Sequence, residues 1–121
     1  MTISCKRVYD RVEKDDGYRV LVDRMWPRGL KKTDLAYDEW CRDVAPSSDL
    51  RTAFHSSSLN FDEFGKAYRR ELGANIPAWK ALLDRAGQGN VTLLYASRDR
   101  ERNHARVLPA FLIEHYKKEN E

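Results

Sequence analysis

Two short stretches gather the residue types that can do chemistry. In the first, the apolar run Val20-Leu21-Val22 leads straight into Asp23, Arg24, Met25, Trp26, Pro27, Arg28 and Gly29. In the second, Val91 to Tyr95 leads into Ala96, Ser97, Arg98, Asp99 and Arg100, with His104 a few residues on. Guanidiniums grip phosphate or carboxylate in bidentate fashion, a hydroxyl such as Ser97 donates to a phosphate oxygen, and carboxylates and imidazoles transfer protons. The pattern points to a small anionic, phosphate-bearing ligand contacted by Arg24, Arg28, Ser97 and Arg98. Trp26 and Tyr95 are ring surfaces for it, and Asp23 and His104 are the candidates for proton transfer, in hydrolysis or transfer at that ligand.

Each of these residues has a plainer use. Asp23 emerges from a buried strand, where an unpaired charge is costly, so an ion pair or backbone amides can claim its carboxylate. Trp next to Pro packs over a sheet edge as readily as it stacks on a ligand. Ser97 or Asp99 can simply cap the helix that follows. The loop also lacks the glycine that lets a backbone cradle a phosphate closely. His104, read as lying in the first turns of a helix, sits near a positive helix end. A Ser97–His104–Asp23 triad is formally possible, but a helix-start serine is not a strained nucleophile elbow.

The elements that must position these residues follow from hydrophobic patterning. Val20-Leu21-Val22 and Val91 to Tyr95 have no polar alternation, which suits strands buried on both faces. Ile3 to Val8 is a third strand. The connection from Tyr9 to Gly17 is short for a parallel crossover, which leaves the relative direction of the first two strands open. Helices are expected from Thr33 or Asp34 through Leu35, Tyr37, Trp40 and Cys41, with Pro46 forcing the end, then from Asp49 to about His55. A capping box at Asn60 and Glu63 opens a third helix carrying Phe61, Phe64, Tyr68 and Leu72, and Pro77 starts a fourth bearing Trp79, Leu82, Leu83 and Ala86. The last helix is expected to begin near Asp99 or Arg100 and to carry Ala105, Leu108, Leu112 and Tyr116, with a kink or break at Pro109. The sum is a small three-layer α/β fold with a narrow, mainly parallel sheet of about three strands, forming one domain over residues 1–121. Ligands of open α/β sheets bind at the carboxyl ends of the strands, where both polar stretches fall.

Bulk properties exclude several classes. No apolar run approaches the ~20 residues needed to cross a bilayer, and the charged start Met1 to Arg7 is unlike a signal peptide; a cytoplasmic location with no membrane partner is expected. Lys and Arg number 22 against 19 Asp and Glu, a balance short of the clustered basic face of nucleic-acid binders. A nucleic-acid partner stacking on Trp26 and Tyr95 is the second reading, and a ligand-free interaction module the third. Cys5 and Cys41 with three histidines give no metal-ligand spacing, so no metal or cofactor is called for and the thiols read as reduced and partly buried.

The run Gly17 to Gly29 resembles the signature of the YeaO-like family, bacterial proteins carrying a domain of unknown function. Asp38-Glu39-Trp40, Ala45-Pro46-Ser47 and Leu50-Arg51 are similar to that family's middle segment, and Leu93 to Asp99 with Asn103-His104-Ala105 to its closing motif. The resemblance spans nearly the whole chain. It implies an α/β fold and brings no established activity. Larger relatives carry Cys-His-Arg where this chain has Asn103-His104-Ala105, so thiol chemistry is not carried over.

Overall fold

The two apolar runs form the middle of the sheet. In the computed structural model, which describes residues 2–119, β4 (Val91–Tyr95) is flanked on one side by β1 (Ile3–Arg7) and on the other by β2 (Tyr18–Leu21). A two-residue strand, β3 (Glu39–Trp40), completes the order β1-β4-β2-β3, with every pairing parallel. All five residues of β4 are buried, as a strand covered on both faces requires. The fold class is as expected, with one strand more. The short link between β1 and β2 is possible because β4 lies between them: it spans two strand spacings, about 10 Å, with one tight helical turn at Lys14–Asp16.

β3 replaces the helix expected from residue 33 to 41. The edge of β2 carries backbone groups that would otherwise be buried unpaired, and residues 38–41 satisfy them. Asp38 N donates to Arg19 O, the Asp38 carboxylate accepts from Arg19 N, and Cys41 N donates to Leu21 O, each at 2.8 Å. The gain from pairing that edge outweighs the helical preference of the segment.

The helices α1 (Ser48–His55), α2 (Phe61–Gly73), α3 (Ile76–Ala86) and α4 (Leu108–Glu119) follow the expected signals more closely. Ser47 caps α1, the Asn60–Glu63 capping box opens α2, and Pro77 occupies the first turn of α3. The last helix begins later than expected, at Leu108 instead of near Asp99 or Arg100: residues 99–103 are not helical, a tight turn at His104–Arg106 precedes α4, and Pro109 lies in its first turn, where a missing N–H costs nothing and no kink results. α4 continues through Glu119; residues 120 and 121 lie outside those described.

All four helices contribute to one core with Val20, Val22, Val91, Leu93 and Tyr95. The opposite sheet face, bearing Leu21 and Leu94, is covered by Leu35, Trp26, Tyr37 and Trp40 from the irregular chain between β2 and β3 and from β3 itself. A buried charged group anchors that face: the Asp16 carboxylate pairs with Arg19 and with Lys6 Nζ (2.7 Å), and accepts from Glu13 N.

Cys5 Sγ donates to Ala105 O and Cys41 Sγ to Ala78 O. Burial pushes both thiols up to about 11, with Arg106 pulling Cys5 back slightly and Glu39 adding to the rise at Cys41. At pH 8 about one thiol in a thousand is thiolate, so native protein should label slowly with iodoacetamide and both cysteines rapidly once unfolded in urea. Fast native labelling of either would contradict the burial described.

Candidate functional site

The strand ends are joined through Asp23. After Leu21 the chain stays in register for one more residue, with Val22 N donating to Leu94 O at 3.0 Å. Asp23 then leaves the ladder. Its Oδ2 accepts the Ala96 N–H at the end of β4 (3.0 Å), and its backbone oxygen accepts Trp40 Nε1 from β3 (2.7 Å). One residue thus ties the carboxyl ends of β2, β3 and β4 together.

His104 closes the arrangement from the turn before α4. Its Nε2 lies 3.1 Å from Val22 O and 3.1 Å from Asp23 Oδ1. A carbonyl can only accept, so Nε2 carries a proton, and in the neutral tautomer Nδ1 is the acceptor. The ring also meets Tyr68 edge-on at 6.4 Å. His104 sits in a tight turn, not in the first turns of an α-helix, so the helix-end argument does not apply to it.

Arg24 reaches across to residues 45–46, with Nη2 donating to Pro46 O at 3.2 Å and, more weakly, to Ala45 O at 3.4 Å, while its Nε is buried without a partner. Ser97 is not an α-helix cap: its hydroxyl accepts the Asp99 N–H, and Asp99 in turn accepts the amides of Glu101 and Arg102. Those two amides hold the Asp99 carboxyl below its ordinary value. The loop is braced from outside the site by Arg100, whose two terminal nitrogens each lie 2.8 Å from a carboxylate oxygen of Asp10. That fork holds the Asp10 carboxyl down at about 2.

Asp23, Arg24, Ser97, Arg98 and His104 all line one cleft of about 1020 Å³, at the top of the range for small-molecule sites. Three other residues singled out in the sequence lie elsewhere. Tyr95 is fully buried in the core. Trp26 packs on the opposite sheet face, 5.4 Å from the rings of both Tyr37 and Trp40, with Nε1 donating to Leu30 O. Arg28 is exposed and contributes its backbone oxygen to Tyr9.

The sequence reading gave the far wall of the cleft no site role. It comes from α1, the following turn and the start of α2, through Arg51, Phe54, His55, Leu59 and Phe61. A signal was present: Arg51, Phe54 and His55 stand at three- and four-residue spacings, which place them on one face of α1. Among the described residues no group of three His, Cys, Asp or Glu side chains is arranged to hold a metal ion, and no helix is long and apolar enough to cross a membrane.

Known proteins agree with the sequence motifs. A family model described as "Inactive DUF488-N3 subclade" matches residues 2–121. The chain is 49% identical over 112 residues to the uncharacterised protein YeaO of Escherichia coli, covering 93% of this chain and 97% of that one. It is 44% identical over 106 residues to an uncharacterised protein of Mycobacterium tuberculosis, covering 88% and 89% respectively. No solved structure gives a significant match. With a family model over almost its whole length and relatives at this level of identity, the chain belongs to the DUF488-N3 family, in the subclade described as inactive, and is YeaO-like.

Proposed function

We propose that the chain is a binding domain for a small anionic, phosphate-bearing ligand held in the cleft at the carboxyl ends of β2 and β4. The observation that carries this reading is an imbalance in how the cleft's charges are committed. Its three carboxylates each have a partner nearby: Asp23 accepts Ala96 N at Oδ2 and has Oδ1, which makes no hydrogen bond, 3.1 Å from His104 Nε2, Asp99 accepts two backbone amides, and Asp62 forms an exposed pair with Lys66 at 3.3 Å. Arg51 and Arg98 line the same cleft with no side-chain hydrogen bond or ion pair among the described residues. Their guanidiniums are available to a phosphate, and a concave site strengthens that attraction by restricting solvent.

Asp23 and His104 direct their polar atoms mainly at backbone groups, so their first task is to hold the strand ends in place. Hydrolysis or transfer at the ligand would fall to His104 Nδ1, the nitrogen not taken by Val22 and Asp23. The description of the matched family as inactive weighs toward binding without turnover. A nucleic-acid partner is less well served, because both proposed stacking rings are spent: Tyr95 is inside the core and Trp26 is wedged between Tyr37 and Trp40.

Calorimetric titration with a phosphate monoester should show saturable binding that weakens about tenfold or more in Arg98→Ala, the loss of one charge-assisted contact. Arg98 is exposed and unpaired, so melting temperature should stay unchanged. Absence of saturation, or equal affinity in the variant, rejects the site.

A further inference from the structure

The two walls of the cleft differ in chemistry. The strand-end wall presents Arg24, Arg98 and His104, while the helical wall adds the rings of Phe54 and Phe61 to Arg51 and His55. Phe64, 2% exposed, is the base on which these rings rest: Phe54 stacks on it at 4.5 Å and 25°, and Phe61 lies 6.2 Å away at 20°. Phe64 is consumed by packing; Phe54 and Phe61 are only half-buried and keep apolar surface facing the cleft. An inorganic anion would leave that surface wet, and a sugar phosphate would set hydroxyls against two ring faces that form no strong hydrogen bond. A planar ring removes it from water and matches the offset or edge-on geometries that aromatic groups prefer.

We infer that the ligand is an aryl or heteroaryl phosphate monoester, its ring against Phe54 and Phe61 and its phosphate toward Arg98 and Arg51. This rests on the anion-binding reading above and narrows it to one chemical class. Charge complementarity from Arg98 and Arg51 and the unclaimed aromatic surface of Phe54 and Phe61 support it. Arg51 and Phe54, three residues apart on α1, put a cation and a ring on the same helix face.

The test compares phenyl phosphate, glycerol phosphate and inorganic phosphate by calorimetry on the full chain, in the parent and in Phe54→Leu. Leucine keeps the apolar character and much of the volume but removes the ring, and a melting curve checks that the fold is intact. Phenyl phosphate should bind at least tenfold more tightly than the other two, and Phe54→Leu should erase that advantage while leaving inorganic phosphate unchanged. Equal binding of all three probes overturns the aromatic inference and leaves the anion site standing. A preference that survives in Phe54→Leu also overturns it, since the ring would then sit elsewhere. No binding of any probe removes both proposals.

Discussion

Alanine at position 17 is expected to cost about 4 kcal/mol or more of stability, enough to unfold much of the population of a marginally stable domain. Gly17 joins the tight turn at Lys14–Asp16 to β2 with φ of +67°. A Cβ there would stand 2.2 Å from the backbone oxygen of Asn90. That oxygen cannot move aside, because it accepts Tyr18 N at 2.9 Å where β2 meets the start of β4. The substitution therefore combines backbone strain, itself ~1–3 kcal/mol, with a collision between two fixed main-chain segments. Gly29 supplies the control. Its φ is +78°, yet a Cβ built on it meets nothing within 4 Å, so Gly29→Ala should cost only the left-handed penalty of ~1–2 kcal/mol. Urea unfolding of the two variants side by side decides the matter, and equal midpoints would refute the collision.

Removing the Asp16 carboxylate comes next in size. Asp16 and Arg19 are each about 6% exposed and Lys6 is 19% exposed, and the carboxylate is the partner both cations share. Asp16→Ala strands the Arg19 guanidinium in the sheet face, with only its Nε still bonded, to Ala36 O. Breaking a buried pair in this way costs ~3–5 kcal/mol, and melting temperature should fall by roughly 10 °C or more. Burial raises the Asp16 carboxyl, but Lys6, the Glu13 amide and Arg19 together outweigh it, so its net value is lowered. A lowered native value means that the stabilisation is complete above the ordinary carboxylate value of 3.8 and is lost as pH falls through the native one. Asp10, held down to about 2 chiefly by Arg100, acts in the same direction. Melting temperature should thus drop between about pH 4 and pH 2, and drop less steeply in Asp16→Asn. An unchanged slope in that variant would show that Asp16 is not linked to folding.

The elements with a local signal were legible from the chain alone. Val20 to Val22 and Val91 to Tyr95 are buried strands because nothing polar interrupts them, and α2 and α3 begin and end close to where Asn60, Glu63, Pro77 and Gly87 direct. The choice of Asp23, Arg24, Ser97, Arg98 and His104 needed only the rule that parallel strands deliver their polar ends to one edge, and these five do share one cleft. The rest depended on contacts between segments distant in sequence. Residues 38–41 pair as an edge strand because β2 leaves backbone groups to be satisfied, which no propensity within 33–41 reveals. Tyr95 could be assigned to core or cleft only once its face of the sheet was known, since a one-residue step along a strand reverses that face, and Trp26 only once the irregular chain after β2 was seen to cross the opposite face. The helical wall of Arg51, Phe54 and Phe61 joined the site for the same reason. Hydrophobic spacing shows that a helix has an apolar side, and tertiary packing alone settles how much of that side the core consumes and how much it leaves facing the ends of β2 and β4.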